Sequence, residues 1–471
     1  MDIKALYQLY EEHPCITTDS RDCPAGSIFI ALKGDSFNGN QFAAQALAKG
    51  CSYAIVDDAS LVKDSDYPVC TTDTLPSPGS DSKAFILVDD CLQTFKLLAR
   101  EHRRQFDIPV IAITGTNGKT TTKELIRAVL SEKYQVLATE GNYNNDVGVP
   151  KTLMRLRPEH QIAVIEMGAS HPGDIKTLAE TAEPTCGIIT NVGRAHLQGF
   201  GSFEGVVNTK CELYDYLQSR QDGLVFLNAD DDILVDRLGD NLWCTPYSID
   251  PEKQYACISG EVVSSPEQQA SPFLKIRWRK PLSELEESGE SQKWHKVQTQ
   301  LVGNYNIYNL LAAVAVGINF DVERRAICHA LESYQPTNSR SQLVVTAHNR
   351  LIVDAYNANP TSMKAAVENF LTIPLSDADH ERRMLILGDM RELGAASQEE
   401  HQKLVDSIAA SGQPVEVWLV GQEFARTRSS YRTFPSVAEV KAELQQQPVS
   451  GRLILVKGSN GTHLYELPPL L

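Results

Sequence analysis

The chain has 471 residues, 42% of them hydrophobic, with 44 Lys and Arg against 60 Asp and Glu and a formal net charge of −16. That length suggests about three domains, with enough apolar side chains for several cores. The acidic balance argues against a nucleic-acid partner, which needs a basic face, but leaves room for a small anionic substrate met by a local group of basic residues and Mg²⁺.

Met1-Asp-Ile-Lys-Ala-Leu-Tyr begins an amphipathic helix and lacks the basic stretch and apolar run of a secretion signal. Residues 1–106 read as a small α/β unit. In it Ser27–Leu32, Tyr53–Val56 and Ala84–Val88 are strand-like, and Thr71–Ser82, with two prolines, is a loop. A second unit, 107–333, opens on the apolar run Pro109–Thr114 and continues through Ile162–Glu166, Gly187–Asn191 and Leu224–Asn228, short apolar strands alternating with helical stretches. That alternation predicts a parallel, doubly wound sheet. Within it, Phe273–Trp278 is a strand beside a charged, serine-rich tract, Ser283–Gln292, that reads as the tip of a mobile hairpin. Helices over Asn306–Gly317 and Val322–Ser333 close this unit, and Pro336-Thr-Asn-Ser is a linker. The third unit, 334–471, has four buried-type strands, Leu351–Asp354, Met384–Gly388, Val417–Gly421 and Leu453–Lys457, and a Rossmann-like look. The ten cysteines contain no Cys-x-x-Cys pair, which argues against a zinc site and for thiols in a reducing compartment. The longest apolar run, near Leu310–Val316, is far short of the ~18 residues of a membrane span. A soluble, cytoplasmic protein is expected.

Chemistry enters at Gly115-Thr116-Asn117-Gly118-Lys119-Thr120-Thr121. A β-branched strand stops at a glycine turn, and a helix with Leu125, Ile126, Val129 and Leu130 at helical spacing follows. Strand, glycine loop, Lys-Thr and helix make a phosphate cradle: backbone N–H groups and the helix start face the anion, Lys119 reaches the terminal phosphates and a threonine hydroxyl ligates Mg²⁺. The loop is short. Only Thr116 and Asn117 separate Gly115 from Gly118, where the usual spacing has four residues between the first glycine and Gly-Lys.

In an open parallel sheet, ligands gather at the carboxyl ends of the strands. Glu166 stands at one such end, where a carboxylate holds a metal or caps a helix. His196 follows the next strand, as a metal ligand, a phosphate contact or an exposed loop residue. Lys210, in Val207-Asn-Thr-Lys-Cys-Glu, reads from residue type alone as a solvated helical lysine. In the third unit Asp354-Ala-Tyr-Asn357-Ala-Asn359-Pro360 is dense in polar groups, as a site or as a set of Asx-turns. Leu387–Gly394 and Lys457-Gly-Ser459 repeat the arrangement. Three such ends beside a nucleotide loop suggest an active site closed between domains.

With those residues assembled, the chain resembles the Mur ligase superfamily over essentially its full length. The short loop Gly115–Thr120 is that family's form. Gly141-Asn-Tyr-Asn-Asn145-Asp-Val-Gly-Val-Pro150, Asn191-x-Gly-x-Ala-His196, Asp354–Met363, Leu387-Gly-Asp-Met-x-Glu-Leu-Gly394 and Lys457-Gly-Ser459 are similar to motifs of its MurF-type branch. Asp19-Ser-Arg21 and Ala31–Gly34, followed by Phe37-Asn-Gly39, resemble the segment that holds the UDP-sugar. Tyr305 stands where the family often has His, Ser339 where a Gly commonly precedes the linker Arg, and Asn38 and Asn40 where Asp and His are usual.

The resemblance implies an ATP- and Mg²⁺-dependent ligase that joins D-alanyl-D-alanine to UDP-MurNAc-tripeptide, working as a monomer. It implies that Lys119, Glu166, His196 and Lys210 are catalytic, with Lys210 carbamylated, and that Thr120, Glu166, His196 and Lys210 hold Mg²⁺. ATP would be bound by the loop Gly115–Thr121 with Asn306, Asn309, Arg340 and Asp354. The other substrates would meet Ser20, Arg21, Lys33, Asn142, Asn145, Asn357 and Asn359. Two alternatives stand beside it: a sister ligase that adds one amino acid, and a phosphate-loop switch. The switch would want a guanine-reading Asn-Lys-x-Asp, which the chain lacks.

Overall fold

The computed structural model describes residues 2–34, 36–63, 65–76, 83–263, 272–281, 293–336, 340–373, 375 and 382–471. Half of the Thr71–Ser82 loop, the Ser283–Gln292 tract and most of the 336–339 linker therefore lie outside the described residues. The chain divides into two compact units. One comprises Met1–Val110, Leu137–Met167 and Lys176–Pro184; the other comprises Ile111–Val136, Gly168–Ile175 and Thr185–Leu471.

The first unit is built on a five-stranded sheet in the order Ile16–Thr17, Ile28–Ile30, Tyr53–Val56, Ala84–Leu87, Val69–Thr71, every neighbouring pair parallel. Its inner strands Ile28–Ile30 and Tyr53–Val56 are short, apolar and buried on both faces, as a parallel sheet covered by helices requires. The helix Ile3–Glu12 is capped by Asp2, which accepts from the N–H groups of Lys4 and Ala5, and it buries Leu6, Tyr7, Leu9 and Tyr10. Strands Val136–Ala138 and Ile162–Glu166 are also neighbours.

In the second unit, strands Val110–Thr114, Cys186–Ile189, Leu224–Asn228, Trp243–Ser248 and Ile258–Val262 follow one another in parallel. Phe273–Arg279 and His295–Val302 then extend the sheet antiparallel. The helix Ile307–Asn319 is buried almost all round, so Leu310, Leu311, Val314 and Val316 are core. A six-stranded sheet follows in the order Gln342–Val345, Asn349–Asp354, Arg452–Lys457, Arg382–Gly388, Val415–Val420, Arg432–Phe434, parallel except at its first pair. Apolar residues cover both its faces, with Phe370, Leu404 and Phe424 on one side and Trp418, Val440 and Leu464 on the other. The expected α/β architecture with mostly parallel sheets is what the chain adopts.

Candidate active site

Strand Val110–Thr114 is wholly buried and delivers the loop at its carboxyl end. Gly115 and Gly118 have φ of +135° and +81°, a region that L side chains rarely enter. Space forbids a side chain too: a Cβ on Gly115 would lie 2.1 Å from Thr190 Oγ1, and one on Gly118 2.6 Å from Asn309 Oδ1. Helix Lys119–Ser131 starts at Gly118 with no side-chain cap, which leaves its N-terminus for an anion. Lys119 Nζ donates to the carbonyls of Gly115 at 2.7 Å and Thr116 at 3.1 Å. Thr120 is buried in the first turn.

The neighbouring strand fixes the loop from the side. Ile189 pairs with Thr114, so the two following turns run together. Asn117 N–H donates to Asn191 Oδ1 at 3.1 Å, while Asn191 Nδ2 and Thr190 Oγ1 both donate to the carbonyl of Asn117. Thr116 Oγ1 exchanges hydrogen bonds with the backbone of Gly193. Asn306 and Asn309 brace the loop and its helix from behind: Asn306 Nδ2 donates to Val302, Asn309 Nδ2 to Asn306 Oδ1, and Thr122 Oγ1 to Asn309 Oδ1.

The turn Asp354–Pro360 reaches the same loop. Asn359 Nδ2 donates to Asn117 Oδ1 at 2.7 Å, and Asn117 Nδ2 returns a longer bond of 3.4 Å. Asn359 also caps helix Pro360–Thr372 in a capping box with Ser362. Asp354 and Lys457 are direct cross-strand partners, with Lys457 Nζ 2.5 Å from Asp354 Oδ2 and 3.2 Å from the carbonyl of Asn357. The Arg340 guanidinium lies over the Tyr356 ring, 3.9 Å from its centroid. Tyr305 is bound through its hydroxyl to Ser341 Oγ.

His196 sits in left-handed backbone, φ +50°, and its Nδ1 is paired with Glu392. That contact holds the Glu392 carboxyl below its usual range. Lys210 overturns the solvated reading. It is 3% exposed, its ammonium lies 5.3 Å from the centroid of the Phe200 ring, and it has no hydrogen bond to a described residue. Burial, then the charge of Lys119, pulls its pKa down to about 7. Helical spacing carried the signal: Val206, Val207, Leu213 and Tyr214 stand four and three residues to either side, so Lys210 lies on the apolar stripe.

Glu166, in the first unit, is 2% exposed; Asn144 Nδ2 donates to its Oε1 at 2.9 Å, a partner sequence reasoning passed over in favour of Asn142 and Asn145. Asn142 is exposed, and Asn145 Oδ1 accepts the Gly148 N–H at the start of helix Gly148–Leu153. Ser20 and Arg21 belong to an exposed turn in which Arg21 forks onto Asp19. Lys33 pairs with Asp57 at 2.9 Å, and Asp57 is bound by the buried Asn40. Asn38 caps the turn that follows it, so the departures at 38 and 40 are used in folding. Among the described residues, no three His, Cys, Asp or Glu side chains form a ready-made metal cage.

Three family models cover most of the chain: a Mur ligase family catalytic domain over residues 14–103, a Mur ligase middle domain over 113–317, and a Mur ligase glutamate ligase domain over 339–460. UDP-N-acetylmuramoyl-tripeptide–D-alanyl-D-alanine ligase of Bacillus subtilis is 31% identical over 463 residues, 96% of this chain and 92% of that protein. The chain belongs to the Mur ligase family. The Escherichia coli protein of the same name is 32% identical over 403 residues, 84% of this chain and 79% of that one. As a Mur ligase it superposes on a crystal structure of MurF from Acinetobacter baumannii with a TM-score of 0.79, 29% identity and coverage of 99% and 97% of the two chains. It shares its fold, at 22% identity and a TM-score of 0.79, with MurF from Thermotoga maritima in complex with ADP, over 100% and 98% of the two chains. The short glycine loop is thus a Mur ligase loop, braced by Thr190, Asn191 and Asn309, none of which Walker spacing foretells.

Proposed function

We propose that this Mur ligase is the cytoplasmic enzyme that joins D-alanyl-D-alanine to UDP-MurNAc-tripeptide with ATP, in peptidoglycan precursor synthesis. The observation that carries it is the Asn117–Asn359 bridge, which makes the phosphate loop and the Asp354–Pro360 turn one structure. Relatives named for that reaction, at 31% and 32% identity, support the reading.

A carboxylate is inert to amines because its oxygen is a poor leaving group, so it must first be phosphorylated. The substrate carboxylate attacks the γ-phosphorus in line and ADP leaves. Lys119 exchanges the loop carbonyls for phosphate oxygens and neutralises the charge that develops there. The cradle fits a polyphosphate: both glycines are places where a Cβ would clash, and the helix start is uncapped. Mg²⁺, which takes hard oxygen ligands, would be held by Thr120 and by Glu166, His196 and Lys210, and supplies charge neutralisation between the two anions. A cation within Lys210's reach requires that the lysine not be an ammonium. With a pKa near 7, much of it is a free amine at neutral pH, and amine plus CO₂ gives a carbamate and a proton. The dipeptide amine then attacks the acyl phosphate, and the tetrahedral species collapses to amide and phosphate.

In this reading residues 1–106 hold the UDP-sugar, using Ser20, Arg21 and Lys33, while 107–333 bind ATP and 334–471 complete the site as a monomer. Asn142, Asn145, Asn357 and Asn359 serve the peptide substrates. Arg340 and Asp354, with Asn306 and Asn309, grip the nucleotide. The test is a mass-spectrometric product assay with D-Ala-D-Ala, L-lysine and diaminopimelate competing as acceptors. D-Ala-D-Ala should dominate. Equal or better turnover with a single amino acid would sink the assignment.

A further inference from the structure

Three of the ten cysteines gather at one corner of the first unit, and the chemistry above uses none of them. Cys15 precedes strand Ile16–Thr17, and its carbonyl accepts the Ile28 N–H. Cys51 follows helix Ala43–Lys49, and its Sγ shares a hydrogen bond with Ser27 Oγ at 3.2 Å. Cys23 closes the Asp19–Asp22 turn, where its thiol donates to the carbonyls of Ser20 at 3.4 Å and Asp19 at 3.9 Å. The backbone lays Cys23 alongside Cys51. Gly26 N–H donates to the Gly50 carbonyl, Ser52 N–H donates to the Ser27 carbonyl, and a Cβ on Gly50 would lie 3.2 Å from the carbonyl oxygen of Cys23.

The two thiols differ in access. Cys51 is fully buried, and burial pushes its thiol up to about 11, with the Cys23 thiol close enough to act on it by hydrogen bonding and charge. Cys23 is only partly buried, so an oxidant from solvent meets it first. Its position matters because the Ser20 carbonyl accepts both the Cys23 thiol and Lys49 Nζ, the latter at 2.8 Å. Lys49 ends the helix that leads into Cys51. The turn that presents Ser20 and Arg21 is thus fastened to the Lys49–Cys51 segment from both sides of one carbonyl.

We propose that Cys23 and Cys51 are a redox modification site: a reversible disulfide between them displaces the Ser20–Arg21 turn and weakens binding of the UDP-substrate. The inference rests on the assignment of Ser20 and Arg21 made above and adds a control over it. The oxidant is a peroxide. The Cys23 thiolate attacks hydrogen peroxide, the O–O bond breaks, an S–O bond forms, and the departing hydroxide takes up the thiol's proton as water. Cys51 sulfur then attacks Cys23 sulfur; the S–O bond breaks, the S–S bond forms, and the second oxygen leaves as water with the Cys51 proton. Each sulfur gives up one electron, and the peroxide is reduced to two waters. Small thiols reverse the bond by exchange and are themselves oxidised to a disulfide. Such a bond is transient in a reducing compartment, as a sensing disulfide is. Once formed, it removes the Cys23 donor from the Ser20 and Asp19 carbonyls and draws that sulfur toward the core.

The experiment oxidises the full-length enzyme with hydrogen peroxide, blocks the remaining thiols with N-ethylmaleimide and maps tryptic peptides without reductant. Trypsin releases residues 5–21, 22–33 and 50–63, which carry Cys15, Cys23 and Cys51 as their single cysteines, so each pairing has its own mass. Peptides 22–33 and 50–63 should appear joined, and dithiothreitol should separate them. On the same samples KM for the UDP-substrate should rise by roughly tenfold or more, the worth of a charged hydrogen bond, and return on reduction. KM for ATP should not move. Cys23→Ser and Cys51→Ala should match the reduced parent and ignore peroxide, with a thermal melt to check both folds; Cys23→Ser, at the less buried position, carries the test if the other fails to fold. Oxidised enzyme in which 22–33 is unlinked or joined to 5–21, or a Cys23→Ser enzyme that responds as the parent does, overturns the inference alone. A joined pair that leaves the KM of the UDP-substrate unchanged does the same. In the reduced enzyme, Arg21→Ala with parental KM for the UDP-substrate would instead unseat the UDP-sugar assignment, and the control with it.

Discussion

Asn117, in the phosphate loop, and Asn359, at the cap of helix Pro360–Thr372, hold each other by their side-chain amides across 242 residues of sequence. Asn359 has a second duty at Ser362 N, so its two functions separate by mutation. Asn359→Ala should cost about 1–2 kcal/mol through the lost cap and bridge. Asn117→Ala should cost less, and a double-mutant cycle by urea denaturation should give a coupling of about 1 kcal/mol. Additive effects would mean that the bridge contributes nothing.

Lys119→Ala should abolish turnover, by on the order of 10³-fold or more, with the melting temperature preserved. In the structure its ammonium ties back onto two carbonyls of its own loop, contacts that water can replace. Near-parental ADP release from a folded Lys119→Ala protein would show that the loop is not the catalytic cradle.

Lys210 yields the sharpest contrast between charge and chemistry. If the carbamate is the working form, Lys210→Ala and Lys210→Arg should both be nearly inactive, though Arg keeps the charge. Short carboxylates should partly restore the Ala variant by supplying oxygens. Intact-protein mass spectrometry after trapping the carbamate by alkylation, or density beyond Nζ in a liganded crystal, reads the modification directly. Full activity in Lys210→Arg would return it to a plain buried lysine.

His102 supplies a pH test in the first unit. Its Nε2–H donates to the carbonyl of Leu156 at 3.2 Å, its Nδ1 accepts from the Tyr7 hydroxyl at 3.0 Å, and the rings of Tyr10 and Phe106 enclose it. Burial pushes its pKa down to about 4. Between pH 6.5 and 4 the unfolded chain therefore binds a proton that the folded chain refuses, so stability falls as pH drops through that window. Native-state hydrogen exchange at Phe85 and Ile86, at pH 7.5 and 5.0, should show the parent losing about 2 kcal/mol more than His102→Gln. Parallel losses in the two proteins would remove His102 as the cause.

Much of the fold was legible because buried parallel strands are continuous apolar runs. Tyr53–Val56, Ile162–Glu166 and Leu224–Asn228 match their predicted limits, and the four strands predicted after residue 350 begin at most two residues earlier than predicted. The strands that escaped, Val136–Ala138, Trp243–Ser248 and Arg432–Phe434 among them, are short or carry exposed and polar residues that break the run. At the site, the loop Gly115–Thr121 announced itself through glycine and Lys-Thr. Lys210 was legible only by its apolar neighbours at helical spacing. Asn144 beside Glu166 and Glu392 beside His196 were not, since each pair is set by how separate turns meet rather than by any local pattern.

The strand order of the six-stranded sheet bears on how the chain folds as it leaves the ribosome. Arg452–Lys457 is the last of the six to be synthesised, yet it lies between Asn349–Asp354 and Arg382–Gly388, made roughly 100 and 70 residues earlier. Until it arrives, those two strands expose unpaired inner edges to any passing strand, and every contact that seals them is long-range and slow to form. The nascent six-stranded sheet is therefore a late client for chaperones. A ribosome stalled before residue 452 should hold it in a protease-sensitive state, with protection appearing only when the final strand slots in.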